Sequence, residues 1–252
     1  VNKTMFEKEI QNYLNKCGFE ALRPKAVLFD MDGVLYNSMP NHAYSWHKSM
    51  ESFGLKMSEA DAYKYEGMRG VETIKVICRE QWGREISDEE SQKMYDVKSH
   101  IFSTCPEAKV MDGVQDLMRM IKECGMQIVV VTGSGQRSLL DKLVDEFHGL
   151  VSPDLIVSSF DVTHGKPNPE PYLKGLQKVG AQPWQALVVE NAPLGVRAGV
   201  AANIFTVAVN SGPLPNEMLA AEGASLVFDN MPAFRDQWQA LAGALADKAI
   251  GK

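Results

Sequence analysis

Cysteine is scarce in this chain: four of 252 residues, Cys17, Cys78, Cys105 and Cys124, lie far apart with no CxxC pair. That spacing argues against a disulfide framework or a thiolate zinc site and predicts reduced, mostly packed thiols. No apolar run reaches the roughly 18 residues that a membrane span needs. A basic excess is missing as well. With 26 Lys+Arg against 32 Asp+Glu the formal charge is -6, which disfavours a nucleic-acid binder with a basic face or arm. Internal repeats, low-complexity tracts and a long Pro/Ser-rich linker are lacking. Val1–Phe19 alternates charged and apolar residues and has no apolar centre of a secretory signal. These absences predict an acidic, cytoplasmic protein with no membrane or nucleic-acid partner. No heptad seam or apolar stripe marks a subunit contact, so a monomer is the default expectation.

What the chain does carry is alternation. Lys25-Ala-Val-Leu-Phe-Asp30 is an apolar run ending in an acid, and short β-branched runs recur at Ile128–Val131, Leu155–Val157, Leu187–Val189 and Ile204–Val209. Each is too short for a helix and is bounded by Gly, Pro or Asn, the pattern of a buried parallel strand. Helical patterns lie between them, at Val114–Lys122, Arg137–Phe147, Pro169–Val179 and Pro193–Ala201. Strand–helix alternation predicts an α/β fold with a doubly wound parallel sheet and right-handed crossovers. Met5–Leu14 reads as an amphipathic helix within a lead-in over residues 1–22.

One stretch breaks the rhythm. Residues 37–106 are polar and helix-periodic, and Ser58-Glu-Ala-Asp61 and Ser87-Asp-Glu-Glu90 have the form of capping boxes. A helical insert that leaves at Tyr36–Ser38 and returns at Glu107–Gly113 predicts a cap domain (37–106) over a core made of residues 1–36 and 107–252. The cap would cover the C-terminal ends of the strands, where open α/β sheets place their ligands.

Each strand ends on a residue with chemistry. The first closes on Asp30 and Asp32, the second on Thr132, the third is followed by Lys166, and the fourth closes on Glu190-Asn191. Parallel strands deliver all four segments to one crevice. A lone DxD after an apolar run is a weak signal, but four such endings in order are hard to obtain from sheet packing alone.

Those residues resemble the haloacid dehalogenase superfamily of phosphoryl-transfer enzymes. Its four motifs read here as Asp30-Met-Asp32-Gly-Val34, Val131-Thr132-Gly133-Ser134, Gly165-Lys166-Pro167 and Val189-Glu190-Asn191-Ala-Pro-Leu-Gly195. The first and last motifs, with a helical cap between the first and second, look like the β-phosphoglucomutase-like branch. The resemblance implies a HAD-like Rossmannoid core and a set of roles. Asp30 would be the nucleophile that forms an aspartyl-phosphate, and Asp32 the acid that protonates the leaving oxygen and then the base that activates water. Thr132 and Lys166, with Gly133 and Ser134, would bind the phosphoryl group. Mg²⁺ would sit between Asp30, the Asp32 carbonyl, and the Glu190 and Asn191 side chains.

The chemistry accounts for such a set. An aspartate attacking a phosphate dianion meets like charge, and a hard cation with oxygen ligands removes that repulsion. Acid–base work at Asp32 leads to the expectation of a carboxyl raised by burial or by Asp30 nearby. Asn191 departs from the two acids that most relatives carry at this motif. One lost charge at short range is worth about 4 kcal/mol at an effective dielectric near 20, and a less negative site tolerates a more negative substrate.

In the cap, His42 opens a helix with Trp46 and Met50 on one face. By resemblance His42 lies near Asp32; Trp46 is expected to pack between domains and His47 to face solvent. Tyr65-Glu66-Gly67-Met68-Arg69-Gly70 looks like a substrate-specificity loop, with Glu66 where mutases carry a lysine and Arg69 offset. Glu66-Gly67 together with Glu190-Asn191 resembles the inorganic-pyrophosphatase-like members more than the mutases. Lys75 and Lys98 are cap cations that could still serve a sugar phosphate. The function expected is Mg²⁺-dependent hydrolysis of pyrophosphate or another small phosphorylated metabolite. The alternative is a β-phosphoglucomutase interconverting β-glucose 1-phosphate and glucose 6-phosphate.

Overall fold

The computed structural model describes residues 3–134 and 137–248. Val1 and Asn2 of the expected lead-in and residues 249–252 of the expected core lie outside the described residues. In chain order the elements are α1 (Lys3–Cys17), β1 (Ala26–Phe29), α2 (Met39–Ser52), α3 (Glu59–Ala62), α4 (Gly70–Trp82), α5 (Asp88–Ser103) and α6 (Val114–Glu123). There follow β2 (Gln127–Val131), α7 (Arg137–Glu146), β3 (Ile156–Val157), α8 (Glu170–Val179), β4 (Ala186–Glu190) and α9 (Pro193–Ala201). The last are β5 (Phe205–Val209), α10 (Asn216–Ala221), β6 (Leu226–Phe228) and α11 (Met231–Lys248).

The strands form one parallel sheet in the order β3-β2-β1-β4-β5-β6. Helices cover both faces, which is why every residue of β1, β4 and β5 is buried and apolar runs serve as strands. From β1 the chain winds one way to β3, then returns to β4 on the other side of β1. The crevice between β1 and β4 is therefore the topological switch point, where open α/β sheets bind ligands. β6 and α11 were not anticipated from sequence. β6 is a three-residue edge strand, too short to show periodicity. β3 is shorter than Leu155–Val157 because Pro153–Leu155 forms a 3₁₀ turn.

The lead-in helix α1 seals one face, with Phe6 and Ile10 fully buried and Tyr13 Oη donating to the Asn203 carbonyl at 2.8 Å. It packs against α11. No helix among the described residues is long and apolar enough to cross a membrane. All four cysteines are free.

Helices α2–α5 form a separate layer with its own apolar cluster, including Ala43, Trp46, Met50, Ile74, Ile77 and Met94. Trp46, expected between the domains, belongs to this cluster. His47, expected to face solvent, is partly buried, with Nδ1 2.7 Å from the Met57 carbonyl. The two crossings pair with each other: the Asn37 amide donates to the Lys109 carbonyl at 2.9 Å and the Met111 amide to the Leu35 carbonyl at 2.8 Å. Ser58 and Asp61 make the full reciprocal capping box. Ser87 makes only half of one, because Glu90 turns to Arg84 instead, at 2.6 Å.

Candidate active site

Asp30 leaves the end of β1 at the switch point and is buried. Its Oδ1 accepts from Lys166 Nζ at 2.5 Å. Lys166 also donates to Glu190 Oε1 at 2.6 Å and to the Val131 carbonyl at 3.1 Å, so all three ammonium protons are used. Thr132 follows β2, and its hydroxyl accepts from the Ser134 amide at 3.0 Å, shaping the turn that carries Gly133 and Ser134 to the chamber wall. The four strand endings expected to converge do so.

Asp32 stands two residues beyond the nucleophile candidate. Gly33, at φ 78°, turns the chain away from β1, and a Cβ there would run into the Asn191 amide. Asp32 Oδ1 accepts from Ser38 Oγ at 2.6 Å and lies 3.1 Å from His42 Nε2. On the other side of the ring, Lys98 Nζ lies 2.7 Å from His42 Nδ1. An ammonium can only donate, so Nδ1 accepts and Nε2 carries the proton that points to Asp32. Burial and Lys98 lower the His42 pKa, consistent with a neutral ring.

Glu66 reaches in from the helical layer. Its Oε1 accepts from Asn191 Nδ2 at 2.8 Å, joining that layer to the core across the chamber. Gly67, at φ 87°, lets the loop pass over Lys166, whose Cδ would lie 3.0 Å from a Cβ there. Arg69 does not line the chamber. Its Nη1 donates to the Thr163 carbonyl at 2.7 Å, a further bond from the helical layer to the core. Lys75 pairs with Asp88 on the surface.

The charges are crowded. Burial, with the nearby Glu190 and Asp32 carboxylates, pushes Asp30 up to about 8 against the pull of Lys166. Burial and Asp30 raise Glu66 well above the ordinary carboxylate range. Asp32 behaves oppositely to the sequence expectation. Burial pushes it up, but the hydrogen bonds from His42 and the Ser38 hydroxyl and the charge of Lys98 oppose that and hold it below the ordinary carboxylate range. Lys98, only 1% exposed, falls to about 8 because burial disfavours its charge.

This donor set fits a hard cation. Two buried carboxyls, Asp30 and Glu66, are driven towards protonation without one, and Asn191 Oδ1 is buried with no hydrogen-bond partner. Among the described residues no cluster of three or more His, Cys, Asp or Glu is arranged for a metal. A centre here would instead mix carboxylate, carbonyl and amide oxygens. Glu190, expected as a ligand, has both oxygens engaged: Oε1 by Lys166 and Tyr172, Oε2 by the amides of Asn191 and Ala192.

Sequence reasoning missed Ser38 and Tyr172 and left Lys98 unplaced. Lys98 did carry a signal: Met94, Lys98 and Phe102 share one helix face at i, i+4 and i+8, and that face is buried.

A sheet of this topology, with this cluster at its switch point and a helical layer across it, is the plan of an α/β enzyme. The chain belongs to the haloacid dehalogenase-like hydrolases, whose family model matches residues 27–209. It is 30% identical over 191 residues to hexitol phosphatase A of Escherichia coli (strain K12), covering 75% of this chain and 85% of that one. Pyrophosphatase PpaX of Oceanobacillus iheyensis is 25% identical over 185 residues, 73% of this chain and 83% of its own. A solved structure from Bacteroides vulgatus, described as "Putative beta-phosphoglucomutase", superposes with a TM-score of 0.93 at 50% identity, covering 97% of this chain and 99% of that one.

Proposed function

We propose that this HAD-type enzyme is a Mg²⁺-dependent phosphohydrolase that cleaves inorganic pyrophosphate or a similarly compact phosphorylated metabolite. Residues 1–36 and 107–252 form the core that performs the chemistry, and residues 37–106 form the cap that selects the substrate. An Asp30 carboxylate oxygen attacks phosphorus, and the bond to the bridging oxygen breaks with its electron pair leaving on orthophosphate. Water then attacks the aspartyl-phosphate, giving a proton to Asp32, and the bond between phosphorus and Asp30 breaks. The turn at Thr132, Gly133 and Ser134 holds the phosphoryl oxygens, and Lys166, its protons spent on Asp30, Glu190 and the Val131 carbonyl, sets its positive charge beside them. Asp30, the Asp32 carbonyl and Asn191 Oδ1 would hold Mg²⁺, with Glu66 beside them; the ion supplies charge neutralisation between nucleophile and phosphate.

The observation that carries this reading is the Glu66–Asn191 bond across the chamber. It sets a carboxyl rather than a cation where the helical layer meets the core, and a carboxyl there offers no positive charge to the distal phosphate of a sugar bisphosphate. The cations lining the chamber point the same way. Among the described residues Lys98 is the only lysine or arginine from the cap on the chamber wall, and it is committed to His42. Asp32, held below the ordinary carboxylate range, carries no proton to give a leaving group. Orthophosphate is a far weaker base than a sugar alkoxide and leaves with less help from an acid. The similarity to pyrophosphatase PpaX agrees with this reading.

A mutase is the second reading, favoured by the Bacteroides vulgatus structure. Mg²⁺-dependent phosphate release from pyrophosphate, measured beside β-glucose 1-phosphate with product identification, separates the two. Fast pyrophosphate cleavage without glucose 6-phosphate is expected. Glucose 6-phosphate as the main product would overturn the hydrolase reading.

A further inference from the structure

Tyr172 has no part in the chemistry described so far, yet it is fully buried against the reacting centre. It lies on α8, and its hydroxyl donates to Glu190 Oε1 at 2.6 Å. The face of its ring lies 5.0 Å from Lys166 Nζ. One side chain thus contacts both the lysine at Asp30 and the carboxylate that anchors it.

Hydrogen-bond capacity gives the arrangement its meaning. Glu190 accepts four donors, Lys166 and Tyr172 on one oxygen, at 2.6 Å each, and the amides of Asn191 and Ala192 on the other, at 3.0 and 3.3 Å. Lys166 Nζ spends its three protons on Asp30, Glu190 and the Val131 carbonyl. The ammonium is therefore shared between two carboxylates, and its position depends on how strongly each attracts it. A phenol on the same Glu190 oxygen takes up part of that oxygen's charge and weakens its hold on Nζ. Burial and the neighbouring Glu190 and Asp30 charges raise the phenol well above its ordinary range, so it keeps its proton and always donates.

We propose that Tyr172 is a positioning residue: its hydroxyl, acting through Glu190, keeps the Lys166 ammonium at Asp30, where the phosphoryl group is transferred. This rests on the phosphohydrolase reading for its consequence in rate, but not for the placement of the lysine. Without the hydroxyl, Glu190 Oε1 has only Lys166 to satisfy it and draws the ammonium away from Asp30.

Tyr172→Phe tests this, because the ring and its place in the cluster under the sheet are retained. The expected result with Mg²⁺ and pyrophosphate is a fall in kcat of about tenfold or more, with KM within about twofold. In a Glu190→Gln background the same substitution is expected to change kcat less than about twofold, since its effect runs through the carboxylate. The crystal structure of Tyr172→Phe is expected to show Nζ moved from Asp30 towards Glu190. Equal kcat losses in the two backgrounds, or a lower melting temperature with unchanged kcat, would reduce Tyr172 to core packing and overturn the proposal. So would an Nζ that has not moved. If the unmodified enzyme releases phosphate from no substrate, the phosphohydrolase reading fails, and the Nζ position still decides the role of Tyr172.

Discussion

On the sheet side of the chamber, Asp30, Lys166 and Glu190 interlock at 2.5 and 2.6 Å, Asp30 and Glu190 at strand ends and Lys166 on the loop between β3 and α8. On the helical side, Glu66, His42 and Lys98 come from two helices and a loop, and they meet the core through single bonds such as Glu66 to Asn191. The first wall is set by backbone register, since parallel strands deliver their ends to one edge. The second is set by how a layer with its own apolar cluster sits over the sheet. On the proposed reading, chemistry common to a whole family belongs on the first wall and substrate choice on the second, because the helical layer can change without disturbing the strands.

The largest effect that separates the walls should come from Asp30→Asn, which removes the proposed nucleophile and leaves the helical layer untouched. Phosphate release from every substrate should drop roughly 10⁴-fold or more, with the circular dichroism spectrum unchanged. Retained activity would take the nucleophile away from the sheet side. Glu66→Ala acts on the other wall. Its pyrophosphate turnover should fall about 10–100-fold, the range for a lost hydrogen bond to a charged group, while an aryl phosphate loses far less. Equal losses would mean that the two walls do not divide chemistry from selection.

Stability of the sheet-side wall should depend on pH. Asp30 lies near 8 when folded, against an ordinary 3.8. Between those values the folded chain binds more protons than the unfolded one, so this group's contribution is complete below about 3.8 and is lost as pH rises towards 8. Glu66 adds the same sign. Calorimetry in EDTA should show this contribution falling across that window, and Mg²⁺ should raise the melting temperature by a few degrees more at pH 8 than at pH 5, at roughly 2–4 °C per kcal/mol. Asp30→Asn should flatten that pH dependence. A Mg²⁺ effect that does not depend on pH would remove the sheet-side carboxylate from the cation site.

The smallest effect is expected at Arg69, half-exposed and bonded to the Thr163 carbonyl. Arg69→Met should raise KM only about two- to fivefold, the cost of one partly exposed contact between the layers. A loss of about a hundredfold confined to a hexose phosphate would instead make Arg69 a ligand for the substrate.

Legibility followed the same division. The apolar runs before Asp30, Thr132 and Glu190 announced buried strands, and their endings announced the crevice. Residues 37–106 announced a helical layer by losing the strand rhythm. The direction of the Asp32 shift was misjudged because Ser38 and the Lys98–His42 pair act on it from outside the motif. Tyr172 read as an ordinary helix residue, since nothing in its neighbours reveals that its hydroxyl points at Glu190.

Local sequence pattern specifies five of the six strands, the helical stretch between the first two and the identity of the groups at the strand ends. These follow from local apolar periodicity and from the single edge to which parallel strands point. Which groups meet is fixed only in the folded chain. Lys98 lies 56 residues from His42, Arg69 94 residues from Thr163, and Glu66 125 residues from Asn191. Such contacts depend on the rotation of each helix about its axis and on how far the layer closes over the sheet. Both are settled by packing of the whole chain, and no short stretch of sequence encodes them.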